Sequence, residues 1–347
     1  MFKTLKDFSV VGKRILVRCD FNVPVDQKGN ILDDFRIQQA LPTIKYLIEA
    51  KAKVILMSHL DPESTNVADP KFNFNGVAQI LSNFLKISIA KEEDCVGPSV
   101  EVSANSLEPG QVLLLENLRF HEEETEGNIE FAKKLSYLGD IYVNEAFSVC
   151  HRNHASIAGV PQFLPKCAGL SLEKEIKALD KVMQNPERPM VAVAGGKKVE
   201  TKSKFIDKIS NIADLVIVSG LIKKEMEDKK IEFKNKEKII GPSGNLDALD
   251  INDESVKLFQ EKIMGAKTIL WNGPFGKFED ENYAKGTLAI ANAIIESGAF
   301  SVVGGGETVE FLEKKGMIDK FSHVSTGGGA MLSYLAGDKL PGLEALK

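Results

Sequence analysis

Short apolar runs of strand length alternate with amphipathic stretches of helix length through most of the 347 residues. This spacing predicts parallel sheet with crossover helices, an α/β architecture. In the first half the strand candidates are RILVRCD (14–20), KVILMSH (53–59), VLLLEN (112–117) and IYVNEAF (141–147). In the second half they are MVAVAG (190–195), LVIVSG (215–220), TILWNG (268–273), SVVGGG (301–306) and HVSTGG (323–328). Between the first two strands, Ile37, Leu41, Ile44, Leu47 and Ile48 recur at helical spacing over 36–51. Residues 171–185 read as a helix capped by Ser171 and stopped by Asn185-Pro186, connecting the two halves. At about 150 residues per domain the length suits two domains.

Composition narrows the function classes. Lysine plus arginine is 44 against 49 for aspartate plus glutamate, a net charge of −5. That balance supplies no basic field for nucleic acid or an anionic membrane. No apolar run approaches the roughly 18 residues of a membrane span, and the first residues lack a signal-peptide h-region, so a cytoplasmic location is expected. Cys19, Cys95, Cys150 and Cys167 lie far apart with no C-x-x-C pair, which indicates neither a disulfide framework nor a zinc motif.

Each strand candidate runs into a polar or glycine-rich turn, and α/β sheets bind ligands at the carboxyl ends of their strands. Three turns, AGGKKVETK (194–202), VGGGETVEFL (303–312) and STGGGAML (325–332), follow strands and open helices. Exposed amides and the helix dipole suit an anion there, and three such turns favour a polyphosphate over tight packing alone. Lys198 and Lys202, four residues apart, suit the same anion. Glu307 suits either magnesium on a phosphate or the helix N-terminus itself. In WNGPFGKFE, Asn272, Gly273 and Pro274 read as a turn, with Glu279 placed for a ribose hydroxyl.

Only six of the 44 cations are arginine, and five of those precede residue 153. Arginine forks onto carboxylate or phosphate where lysine does not. Arg18, Asp20 and Asn22 alternate in RCDFN, so on a strand all three would share one face and need water or a ligand. Arg36, His59, Arg119, His151, Arg152 and His154 follow at other element ends. The set suits a small substrate carrying phosphate and carboxylate.

Taken together, VRCDFNVP (17–24), DDFRI (33–37), LLLENLRFHEEE (113–124), YVNEAFSVCHRNHAS (142–156), GGKKV (195–199), WNGPFGKFE (271–279), GGGET (304–308) and DKFSHVSTGGGA (319–330) resemble the phosphoglycerate kinase family, in family order. The resemblance implies two doubly wound, Rossmann-like domains joined by a helix, with an interdomain cleft. The expected boundaries are 1–168, a connecting helix at 169–186, a nucleotide domain at 187–332, and a tail at 333–347 returning to the first domain. It implies phosphoryl transfer between 1,3-bisphosphoglycerate with MgADP and 3-phosphoglycerate with MgATP, by hinge closure in a monomer. Arg18, Asp20, Asn22, Arg36, His59, Arg119 and Arg152 would hold the acid, with Arg36 also reaching the transferred group. Lys198 and Lys202 would hold nucleotide phosphates and the moving group, and Asn272, Gly273, Pro274 and Glu279 the nucleotide. Gly304, Gly305, Gly306 and Thr308 would complete the phosphate turn, Glu307 would take Mg²⁺, and Gly305, Gly306, Gly328 and Gly329 would present amides to the transferred phosphoryl.

The chain departs from the family in four places. Asp61-Pro62-Glu63 stands where the family has G-R-P after S-H-L, which removes a substrate arginine. Losing one charged hydrogen bond weakens acid binding on the order of 10- to 150-fold. Glu307 and Glu145 replace family aspartates. The adenine-side turn is Val218-Ser219-Gly220-Leu221, followed by a stretch dozens of residues shorter than usual before Trp271. Finally, ALDINDES (248–255) lacks the usual Gly-Pro. These departures leave a second reading, a weak homologue that binds nucleotide or phospho-acid in a regulatory role.

Overall fold

The computed structural model describes residues 2–60, 69–196 and 202–347. Residues 61–63 and Lys198, named above, lie outside them. The described chain forms two compact units, residues 1–174 with 339–347, and residues 175–338. The division falls inside the connecting helix Leu170–Gln184.

The first unit is built on β1 (Arg14–Arg18), β2 (Lys53–Met57), β3 (Ala90–Lys91), β4 (Val112–Leu114), β5 (Ile141–Asn144) and β6 (Lys166–Ala168), in the order β3-β4-β2-β1-β5-β6. Every neighbouring pair is parallel. Sheets of this kind are covered on both faces, which is why β1, β2 and β5 read as unbroken apolar runs rather than alternating ones. From Ile15 onward β1 is wholly buried. The helix Phe35–Glu49 lays Ile37, Leu41, Ile44 and Leu47 into the core beside Val17 and Phe21. The C-terminal turn Pro341–Glu344 belongs to this unit, and Gly342 donates to the Cys150 carbonyl at 2.9 Å.

The second unit carries β7 (Met190–Ala194), β8 (Leu215–Val218), β9 (Ile239–Ile240), β10 (Thr268–Asn272), β11 (Phe300–Gly304) and β12 (His323–Val324), in the order β12-β11-β10-β7-β8-β9. These pairs are parallel too. Trp271, fully buried on β10, packs with Phe275, Phe311 and Phe321. All nine strand candidates form. The three unforeseen ones, β3, β6 and β9, are two or three residues long and lie at sheet edges.

Ser171 does not cap the connecting helix, which begins one residue earlier, at Leu170. The buried carboxylate of Glu145 takes that place. Its Oε1 accepts from the Ser171 amide at 3.0 Å and from the Thr43 hydroxyl at 2.6 Å. The Ser171 hydroxyl instead donates to the Gln39 carbonyl at 2.5 Å.

Candidate active site

In each sheet the chain reverses its direction of growth at one place. Strand order turns outward on either side of β1 and β5 in the first unit, and of β7 and β10 in the second. The loops leaving such a pair part to opposite sides and open a crevice at the carboxyl ends. In the first unit those ends carry 19–22 and 145–152. In the second they carry Gly195, Gly196, Lys202 and 272–274.

At the first switch point only Arg18 lies on the strand. Asp20 and Asn22 follow beyond the end of β1, outside any strand, so the shared strand face is not formed. The reason is that the sheet ends where its partners end. Arg18 pairs in register with Met57 and Asn144, the last residues of β2 and β5. The Arg18 guanidinium is fully buried and protein groups surround it. Its Nε donates to Ser156 Oγ at 2.7 Å, another nitrogen lies 3.3 Å from His59 Nδ1, and Glu124 lies at 3.8 Å. Glu124 and Ser156 carried no signal in the sequence, because Glu124 sits in an acidic helical turn that reads as solvated.

Asp20 joins the next tier. Its Oδ2 accepts from Arg36 at 2.6 Å and from the Ser148 hydroxyl at 2.5 Å, and Oδ1 accepts from the Asn22 amide at 3.1 Å. Arg36, at the start of its helix, remains about one-third exposed. Burial lowers the pKa of His59 well below the ordinary value, and Arg18, Arg119 and Arg152 push it further down. Burial and Arg119, Arg18 and Arg152 likewise hold His154 at about 3. Both imidazoles are therefore neutral at physiological pH. They offer polar hydrogen-bonding groups, and the positive charge around them is carried by the arginines.

The second switch point is built on close backbone contact. Gly195 donates to the Asn272 carbonyl at 2.9 Å and Gly196 to the Pro274 carbonyl at 2.8 Å. A Cβ on Gly195 would lie 2.1 Å from the Gly273 carbonyl oxygen, so only glycine fits. Gly273, at φ +100°, is held by its amide donating to Thr308 Oγ1 at 2.9 Å. Asn272 is the last residue of β10, so the turn starts at Gly273. Lys202, buried just before the helix Ser203–Ser210, points its ammonium at the carbonyls of Gly195 and Asn272, the latter at 3.3 Å. Burial lowers its pKa to about 8, and Glu307 opposes that shift. Asn272 Nδ2, also buried, has no hydrogen-bond partner among the described residues and faces the Gly305 turn.

Gly304 ends β11, and Gly305, at φ +98°, precedes the helix Gly306–Lys314 whose first turn carries the exposed Glu307. Gly328 precedes the shorter helix Gly329–Leu335. A cavity of about 460 Å³ opens beside these turns. Gly196, Pro274, Glu279 and Glu307 contribute to its lining, and a second wall comes from Ser219, Gly220, Leu221, residues 242–243 and residues 245–252. Four anchors hold that second wall. Lys223 donates to the Pro242 carbonyl at 2.9 Å, Asn252 to the Ser243 carbonyl at 3.0 Å, the Lys277 amide to the Leu249 carbonyl at 2.8 Å, and the Gly286 amide to Asp250 at 2.9 Å. Residues 242–247, Phe275 and Phe278 were not legible as site residues, since their role depends on how the shortened stretch folds back.

Comparison with known proteins agrees with this layout. The family model described as phosphoglycerate kinase matches residues 5–227 and 222–338. The phosphoglycerate kinase of Aquifex aeolicus is 42% identical over 391 aligned positions, covering 99% of this chain and 98% of the relative. That of Pelotomaculum thermopropionicum is 40% identical, with 99% and 98% covered. The solved phosphoglycerate kinase of Pyrococcus horikoshii superposes with a TM-score of 0.88 at 32% identity, covering 100% of this chain and 98% of that one. The Coxiella burnetii structure gives 0.86 at 33%, covering 100% and 99%. The family match breaks and resumes at 222–227, inside the helix Gly220–Asp228, which places the missing stretch between β8 and β9. With the family model matched over most of its length and relatives about 40% identical across 99% of it, the chain belongs to the phosphoglycerate kinase family.

Proposed function

We propose that the protein catalyses reversible phosphoryl transfer between 1,3-bisphosphoglycerate with ADP and 3-phosphoglycerate with ATP. The full-length family match carries the reading, and the two switch-point sites support it. Phosphoryl transfer needs positioning and charge neutralisation rather than a covalent catalyst. Arg119 and Arg152, with neutral His59, hold the acid, Asp20 and Asn22 position it, and buried Arg18, engaged by Ser156 and Glu124, supports His59 from behind. Arg36 swings from Asp20 to the transferred group. Lys202 and Lys198 meet the nucleotide phosphates, the amides of Gly305, Gly306, Gly328 and Gly329 receive the transferred phosphoryl, and Asn272 Nδ2 donates at the same turn.

The residue set fits a magnesium nucleotide. Mg²⁺ typically takes one or two carboxylates plus substrate phosphates, and Glu307 offers an exposed carboxylate on the cavity. When bound, the ion neutralises phosphate charge. With acid and nucleotide on separate units, closure brings them together and excludes water. The protein works as a cytoplasmic monomer.

The test is coupled-assay turnover with 3-phosphoglycerate and MgATP, beside MgGTP, on wild type and Arg36→Ala. Arg36→Ala is expected to lower kcat on the order of 100- to 1000-fold, as loss of a transition-state donor does. Wild-type protein that binds both ligands without turnover would overturn the reading.

A further inference from the structure

Away from both switch points, three side chains of different ligand chemistry meet in the first unit. Asp94 and Cys95 lie on the loop between β3 and the helix Pro98–Ser106, and His121 follows the turn Leu118–Phe120. One carboxylate oxygen, the thiol sulfur and one imidazole nitrogen all lie within 4.8 Å of one another. His121 Nε2 and Asp94 Oδ1 are 2.7 Å apart, and the ring stacks on Phe131 with centroids 4.9 Å apart. Cys95 is fully buried and donates to the Glu116 carbonyl at 3.0 Å, while Asp94 is half exposed. The neighbouring carboxylate of Glu116 is engaged by Lys91 at 2.8 Å and by the amides of Phe74 and Asn117, both at 2.8 Å.

We propose that Asp94, Cys95 and His121 form a binding site for a divalent cation of the zinc class, with a solvent-facing fourth position beside Asp94. The donor set selects the ion. Thiolate and imidazole suit Zn²⁺ or Co²⁺ and disfavour Mg²⁺ and Ca²⁺, which take oxygen. Bonds of about 2.0–2.3 Å to a tetrahedral ion put ligand atoms about 3.3–3.8 Å apart. The three donor atoms lie within 4.8 Å of one another, so rotations of the His121 and Asp94 side chains bring them to that spacing. Binding breaks the His121–Asp94 hydrogen bond, shifts the imidazole proton from Nε2 to Nδ1 and releases the Cys95 thiol proton to solvent. The ion then ties the 92–97 loop to the turn after Arg119, two segments joined on this side by one exposed hydrogen bond. None of the three residues belongs to the phosphoryl-transfer site, so the inference stands apart from that reading.

The test uses full-length protein stripped with chelator and titrated with Co²⁺. One equivalent is expected to give a thiolate-to-cobalt charge-transfer band in the near ultraviolet, bleached by one equivalent of Zn²⁺. Cys95→Ser is expected to abolish the band. His121→Gln, which alters a partly exposed ring and so keeps the test open should the buried serine variant misfold, is expected to weaken Co²⁺ at least about 10-fold, as loss of a ligand or its orienting partner does. Cobalt that binds without the charge-transfer band, at carboxylates or other histidines, would overturn the proposal. So would a band unchanged in both variants.

Discussion

Lys202 is a cation stored where charge is costly. Its ammonium is buried against two carbonyls, and burial brings its pKa to about 8. On the proposed function, a polyphosphate at Gly195 and Gly305 is expected to restore the charged form, so that nucleotide binding above pH 8 takes up a proton. Calorimetry of MgADP binding in two buffers of different ionisation enthalpy is expected to show nearly one proton taken up at about pH 9 and little at about pH 7. Lys202→Met is expected to remove that uptake, and a wild type with none would place the phosphates elsewhere. At this scale the lysines, arginines and glycines were legible, because their chemistry is written in their type. Their partners were not. Nothing in RCDFN says that Arg18 would be held by Ser156 and Glu124, which are 138 and 106 positions away.

Helices and loops have their own determinants. The connecting helix takes its N-terminal acceptor from Glu145 at the end of β5, across the chain from its own sequence neighbourhood. Burial raises the pKa of this carboxyl, while the hydrogen bonds from Thr43 and Ser171 pull it back down. Glu145 also needs its neighbour to be glycine, since a Cβ on Gly169 would lie 1.9 Å from Oε2. Glu145→Ala strips a buried acceptor from two amides and a hydroxyl. It is expected to cost about 1–3 kcal/mol in urea unfolding, with the slope unchanged. A cost near zero would mean that water replaces the carboxylate. A Ser before a helical pattern is a fair local signal for a cap, and here a tertiary acceptor takes that position.

For the whole molecule, topology decides where chemistry collects. Parallel order reverses beside β1 and β7, and the residues with the strongest chemical signal gather at those reversals. Each ligand is therefore expected to protect its own unit from amide hydrogen exchange. MgADP should slow exchange at 194–196 and 272–274, and 3-phosphoglycerate at 18–22 and 145–152. Both ligands slowing the same unit would refute the assignment of one site to each. The α/β class, nine of the strands, the glycine turns and the family were all legible in one dimension. Apolar runs, turn residues and motif order are local properties that survive in one dimension. Long-range packing settles that Arg18 is buried, that Glu145 caps the connecting helix, and that the shortened stretch after β8 folds back to form a cavity wall. Those outcomes depend on hydrogen bonds and close approaches between positions tens to over a hundred residues apart, and no local pattern encodes them.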